Sequence, residues 1–196
     1  MNHHPFAVSL NPFVQVSSTE DQYMLRSVES DPTALLTLAT TPGITMVLDG
    51  LKAGSSTPEL LVQKLAELEG QAVGEQFGQM LKQLNERGWL SYSVLPLAVA
   101  IPMVDSAELN LAQPYWTQTR VALSRFAYQH PYEGTMVLES PLSKFRIKLL
   151  DWRASAILTQ LAQPQSLGAV TPPPLLGCRN RLSVCQFVVG RRVSDG

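Results

Sequence analysis

The stretch Ala72–Val94, AVGEQFGQMLKQLNERGWLSYSV, decides the fold class. Its apolar side chains recur at the spacing of one helix face, at Val73, Phe77, Met80, Leu81 and Leu84. Gly88 follows where a left-handed helix cap is expected, and the aromatic run after it has the composition of a strand. A helix that ends in Arg-Gly-aromatic-Leu and turns directly into a strand is typical of the third helix and first wing strand of a winged-helix module. We therefore expect an α+β fold.

The residues before this stretch predict the rest of a small domain. Phe13–Ser17 and Tyr23–Val28 are β-rich runs around a polar turn, and Ala34–Ala39 is a third strand candidate. A first helix opens at Pro42-Gly43, with Ile44, Val47, Leu48 and Leu51 inward, and it closes at Gly54. A second helix begins after a hydroxyl cap and Pro58, with Leu61, Leu65 and Leu68 inward. Residues 1–95 are therefore predicted to form a winged-helix, peptide-recognition-like domain.

The next segment, 96–120, is interpreted as a linker because it holds three prolines and no clear period. Beyond it, Val121–His130 and Thr135–Ser140 predict a second hairpin, and Lys144–Leu149 alternates basic and apolar side chains like a half-buried strand. Trp152–Ala162 then predicts a helix, with Ile157, Leu158 and Leu161 inward.

This order repeats the first domain at an offset of 110 residues. Val47-Leu48 aligns with Ile157-Leu158, Leu51 aligns with Leu161, and Glu29-Ser30 aligns with Glu139-Ser140. We interpret 121–170 as an incomplete second winged-helix-like copy, with chance matches among common apolar residues as the alternative.

The tail, residues 171–196, breaks this pattern. Three consecutive prolines forbid the helix that the repeat requires, and both cysteines and four arginines occur here. The tail is therefore expected to be irregular, the product of a reading-frame change or a mispredicted gene end, with an ordinary irregular terminus as the alternative.

Composition excludes several function classes. A 45% hydrophobic and 16% charged chain is typical of a globular protein, and no apolar run approaches the length of a membrane span. The N-terminus lacks the charged segment and the apolar segment of a signal peptide, so a cytoplasmic location is expected. Residues 1–120 carry a net charge of -6 and residues 121–196 carry +5, which together give the overall -1. This distribution disfavours nucleic-acid binding by the whole protein.

Motifs for phosphate, nucleotide, hydrolase and metal chemistry are absent from the sequence, including GxGxxG, GxxxxGK[ST], GxSxG and HExxH. No catalytic, cofactor-binding or metal-ligating residue is predicted. His130 is interpreted as a solvated loop residue beside Pro131, and Glu67, Glu69, Glu75 and Glu86 are interpreted as solvated helix faces.

Three segments carry a resemblance to a known family. Leu123–Ala127 (LSRFA), Val137–Leu142 (VLESPL) and Leu150–Ala154 (LDWRA) resemble the N-terminal region of SagB-type dehydrogenases, and Met80–Leu90 resembles it less closely. This family comprises flavin-dependent thiazoline/oxazoline oxidases of ribosomal peptide (RiPP) natural-product pathways, including the cyanobacterial cyclic-peptide oxidases.

The resemblance implies a pair of winged-helix modules similar to RiPP recognition elements, followed in full-length members by a nitroreductase-fold domain that binds FMN. This sequence departs from the family because the flavin domain is missing from it, so no FMN-binding residue is carried over and the chain is expected to be a truncated member that is inactive alone. The implied partners are a precursor or leader peptide and a complex of modifying enzymes.

The leading functional hypothesis is a module that binds a leader peptide by strand addition. The candidate peptide-binding residues are the basic stripe Lys144, Arg146 and Lys148, together with Phe77 and Met80 on the third helix. The alternative for the basic stripe is that it forms the solvent-exposed face of a strand. The alternative for Phe77 and Met80 is that they belong to the domain core. A winged-helix DNA-binding protein is the competing function, disfavoured because the third helix has a net charge of zero. A complete flavoenzyme is opposed by the chain length.

Overall fold

The computed structural model describes residues 6–28, 35–104, 107 and 120–170. These residues form two compact units. The first holds the described residues up to 92 together with 102–104 and 107, and the second holds 93–101 and 120–170. Both units are mixed α/β with antiparallel strand pairing. Among the described residues they contain four α-helices, three in the first unit and one in the second.

The first unit begins with four strands, continues with three helices and enters a fifth strand. Their bounds are β1 (Ala7–Leu10), β2 (Val14–Ser18), β3 (Gln22–Ser27), β4 (Leu35–Ala39), α1 (Pro42–Ala53), α2 (Pro58–Glu69), α3 (Gln71–Glu86) and β5 (Leu90–Val94). The strands β2, β3 and β4 form an antiparallel meander, and β1 lies beside β5.

Capping residues set the helix ends of this unit where the sequence predicts them. Thr41 and Thr57 cap α1 and α2 by accepting hydrogen bonds from Ile44 N and Leu60 N, and Gly54 ends α1 with a φ of 64°. Gly88, with a φ of 68°, turns the chain from α3 into β5. A side chain at Gly88 would also collide with the carbonyl oxygen of Val104, 2.8 Å from an added Cβ. The predicted helix-to-strand transition is confirmed.

The core of the first unit is built from the apolar faces of its helices and strands. Its members include Phe6, Val8, Leu25, Val47, Leu48, Leu51, Leu61, Leu65, Phe77, Met80, Leu81, Leu84 and Trp89. Leu68 is an exception to the sequence analysis, because it is 63% exposed instead of facing inward. Its place in the last turn of α2 leaves it beyond the buried positions Leu61 and Leu65.

The second unit contains the remaining elements. Their bounds are β6 (Ala98–Pro102), β7 (Arg120–Val121), β8 (Tyr128–Tyr132), β9 (Thr135–Glu139), β10 (Phe145–Leu149), α4 (Trp152–Gln160), β11 (Gln165–Ser166) and a 3₁₀ turn at Leu167–Ala169. In this unit β6, β10, β9 and β8 lie side by side in that order, and β7 pairs with β11. Ile147, Leu149, Ile157 and Leu158 are buried between β10 and α4.

Two sequence interpretations differ from this arrangement. The segment interpreted as a linker contains β6, whose alanine and isoleucine residues are largely buried. The first strand of the second hairpin begins at Tyr128 and not at Val121, because Ser124 forms a turn in which its Oγ accepts from Phe126 N and its carbonyl accepts from Ala127 N. Residues 171–196 and most of 105–119 lie outside the described residues.

The two units share one sequence of elements. A three-stranded antiparallel meander is followed by a helix in each, β2–β3–β4–α1 in the first and β8–β9–β10–α4 in the second. The offset of 110 holds at the helix caps, Thr41 and Asp151. It does not hold throughout. Ala39 pairs with Gln22 and Leu149 pairs with Met136, so the third strands are 110 residues apart whereas the second strands are 114 apart.

Candidate functional site

The outer face of the meander β8–β9–β10 carries a cluster of polar and aromatic side chains around Glu139. Arg146 donates from Nε to Glu139 Oε1, and His130 Nε2 lies 3.1 Å from Oε2. Tyr128 donates its hydroxyl to the same Oε2 at 3.2 Å. One carboxylate therefore joins all three strands of the meander, since its partners come from β8 and β10.

Aromatic rings hold the β8 side of this cluster in place. The Tyr128 and His130 rings stack with centroids 5.3 Å apart, and His130 meets Tyr132 edge-on at 6.5 Å. The Arg146 guanidinium lies 3.9 Å above the Tyr132 ring, within the range of a cation–π contact. Arg146 is thus enclosed between a ring and a carboxylate, and its side chain is only 14% exposed.

Ionisation in the cluster follows from these contacts. Burial by itself raises the pKa of Glu139, but the hydrogen bonds from Arg146 and His130 together outweigh it, so this pKa lies below its ordinary value. The hydrogen bond to Glu139 raises the pKa of Tyr128. At the turn of the β8–β9 hairpin, the hydrogen bond from Lys148 lowers the pKa of Glu133, and the two groups are 3.0 Å apart. The cluster is a set of mutually satisfied charges.

The basic stripe predicted from the sequence lies on β10 and at its start. Arg146 and Lys148 are already paired with carboxylates of the β8–β9 hairpin, while Lys144 is exposed. An acidic peptide would have to compete with Glu139 for Arg146 and with Glu133 for Lys148. The stripe therefore offers less charge to a partner than its sequence suggests.

Phe77 and Met80, the other predicted peptide contacts, are 3% and 6% exposed in the core of the first unit. Both residues therefore lie in the core, which the sequence analysis gave as the alternative to peptide binding. On the same helix, Lys82 lies 3.8 Å from Glu86 in an exposed ion pair, so α3 does not present a row of unpaired cations among its described side chains.

Sequence reasoning missed Glu139, Tyr128 and Tyr132, and it assigned His130 to a solvated loop although that residue is a partly buried member of β8. A signal was present. Tyr-x-His-x-Tyr alternates over 128–132, and a two-residue turn at Glu133-Gly134 fixes the register that places Glu139 opposite Tyr128.

The start of α4 forms a smaller polar arrangement. Asp151 caps the helix by accepting from Arg153 N, and its two carboxylate oxygens accept from Arg153 Nε and Nη2, all at 2.8 Å. The side-chain hydrogen bond from Arg153 lowers the pKa of Asp151. Trp152, between the two, is 61% exposed.

Backbone groups at a sheet edge form the second candidate site. Thr40 N donates to the Asp21 carbonyl, so by the alternation of antiparallel pairs Leu36 and Leu38 direct their N–H and C=O groups to β3. Leu35, Thr37 and Ala39 consequently direct theirs away from the sheet. Among the described strands, none pairs with this outer edge of β4.

Metal and membrane sites find no support in the part of the chain that the structure describes. No group of three or more His, Cys, Asp or Glu side chains is arranged to hold a metal ion there. None of the described helices is long and apolar enough to cross a membrane.

Comparison with known proteins gives one family match. Residues 121–190 match the family model of the cyanobactin oxidase ThcOx, and no curated protein matches the chain. The matched range includes all three segments of closest resemblance and less than half of the chain. It also extends through most of the tail, which is an argument against a reading-frame change at residue 171, although that expectation stays a prediction. Over this range the chain is similar to the oxidases of RiPP azoline pathways.

Proposed function

We propose that this chain is the peptide-binding region of a SagB-type azoline dehydrogenase and holds a precursor peptide for oxidation of thiazolines or oxazolines to azoles. The match to the cyanobactin oxidase family supports a role in RiPP oxidation, and a ribosomal precursor peptide is the substrate that such a system handles. In this proposal each meander-plus-helix unit derives from a winged-helix, recognition-element-like module.

The outer edge of β4 is the proposed docking surface. A peptide that lies antiparallel to β4 would exchange backbone hydrogen bonds with Leu35, Thr37 and Ala39, which is the strand-addition mode of peptide recognition. Its alternate side chains would fall on the face of Leu36 and Leu38. That face is the one from which Tyr23 of β3 reaches Thr45 of α1, with 2.9 Å between their hydroxyl oxygens.

The other edges of the first unit offer fewer groups. On β2, the Val14 N–H already donates to Asn11 O, so Val16 and Ser18 remain as outward-facing residues. On β1, Val8 forms an antiparallel bridge with Ser56, and its N–H donates to the Ser56 carbonyl at 2.9 Å. Among the described strands of this unit, the β4 edge therefore has the longest run of outward backbone groups.

In this proposal the oxidation is carried out by FMN bound to a nitroreductase-fold domain outside the described residues. The described residues do not fit a flavin site, because they include no glycine-rich phosphate loop and because the cations Arg146, Lys148 and Arg153 are bonded to carboxylates. No step of the chemistry is assigned to them.

A pair of proline variants tests the docking surface. Thr37→Pro removes one outward N–H of β4 without removing a bond to β3, and Val16→Pro makes the same change on β2. With a fluorescent cyanobactin-type precursor peptide, we expect anisotropy titrations to show about a tenfold or greater loss of affinity for Thr37→Pro, equivalent to about 1.4 kcal/mol, and a small change for Val16→Pro.

The opposite ranking of the two variants would move the site to β2, and no binding by the parent chain would refute the proposed function. Salt provides the second control. A strand-adding peptide should bind with a shallow dependence on ionic strength, whereas the competing DNA-binding function requires a steep one.

A further inference from the structure

We draw no further inference here: the strongest candidate, the surface formed by the exposed side chains of Leu150 and Trp152 at the junction of β10 and α4, is apolar, and nothing among the described residues shows what covers it.

Discussion

The two meanders have the same order of strands but differ in the side-chain hydrogen bonds that join those strands. In β2–β3–β4 the cross-strand side-chain bond at Arg26 is an exposed contact of 3.0 Å to Gln15. In β8–β9–β10, one carboxylate, Glu139, is bonded to residues of both neighbouring strands. None of the described strands pairs with the outer edge of β4, whereas β8 carries Pro131, whose carbonyl oxygen lies 3.1 Å from His130 Nδ1. The two meanders therefore share a strand order but not the side-chain bonds that join their strands.

The largest effect should come from the two cores. Leu84 on α3 and Leu158 on α4 are both fully buried, so Leu84→Ala and Leu158→Ala should each lower the free energy of unfolding by about 2 to 5 kcal/mol. Urea unfolding followed by circular dichroism measures both, with the exposed Leu68→Ala as the control, for which a change within about 0.5 kcal/mol is expected. A result near zero for Leu84→Ala would mean that α3 is not packed as described.

The next largest effect separates the two meanders. Glu139→Gln keeps the size of the side chain and removes its charge, so the bonds from Arg146 and His130 lose their charge assistance, at a cost of about 1 to 3 kcal/mol. Gln15→Leu in the first meander removes an exposed contact and should cost less than about 0.5 kcal/mol. Equal costs in the two meanders would show that the Glu139 cluster adds no more to stability than the exposed contact between Arg26 and Gln15.

Acid should reduce the cost of Glu139→Gln. The pKa of Glu139 is lower in the folded state, so the stability that it contributes is complete above the pKa of the unfolded chain, about 4.3, and is lost as the pH falls through the folded pKa. The difference between parent and variant should be constant at neutral pH and should shrink below about pH 4. Urea titrations of both proteins across this range measure it, and a difference that grows in acid would contradict the lowered pKa.

Local patterns of the sequence predicted much of the fold. The 3.6-residue period of α3, the caps Thr57 and Gly54 and the alternation along β10 are properties of neighbouring residues, and each predicted its element. The strand β6 was missed because Pro96 and Pro102 suggested a linker, although the residues between them are β-rich. Its structure depends on a distant strand, β10, which a local pattern does not contain.

The candidate sites were harder to predict for the same reason. The alternation of Lys144, Arg146 and Lys148 is visible in the sequence. The partner of Arg146 is Glu139 on β9, and the partner of Lys148 is Glu133 in the β8–β9 turn. Whether a cation is unpaired depends on strand register, which the alternation along a single strand does not reveal. The open β4 edge consists of backbone groups, which every strand possesses, so only the strand order reveals it.

A smaller effect should distinguish the caps of the equivalent helices α1 and α4. Thr41 accepts one backbone hydrogen bond, from Ile44 N, whereas Asp151 caps α4 and also binds the Arg153 guanidinium. Thr41→Ala should cost about 1 kcal/mol, and Asp151→Ala should cost more, within the range of about 0.5 to 2 kcal/mol known for such caps. Asp151→Asn retains the cap and should recover part of the loss. Equal stabilities for Asp151→Ala and Asp151→Asn would show that the cap contributes nothing.

The smallest effect concerns the hairpin turn between β8 and β9 in the second meander. Glu133 has a φ of 47°, a left-handed conformation that costs a residue other than glycine or asparagine about 1 kcal/mol, and Asn-Gly is the favoured pair for this turn. Glu133→Asn should relieve that strain and also lose the ion pair with Lys148, which contributes little because the Glu133 carboxylate is 61% exposed. The relief of strain exceeds this small loss, and we expect a net gain of a few tenths of a kcal/mol. The variants Lys148→Met and Glu133→Asn with Lys148→Met complete a double-mutant cycle that separates turn strain from the ion pair. If Glu133→Asn destabilises the protein in the Lys148→Met background, the left-handed turn is not strained. The ion pair is then not the reason that glutamate is tolerated there.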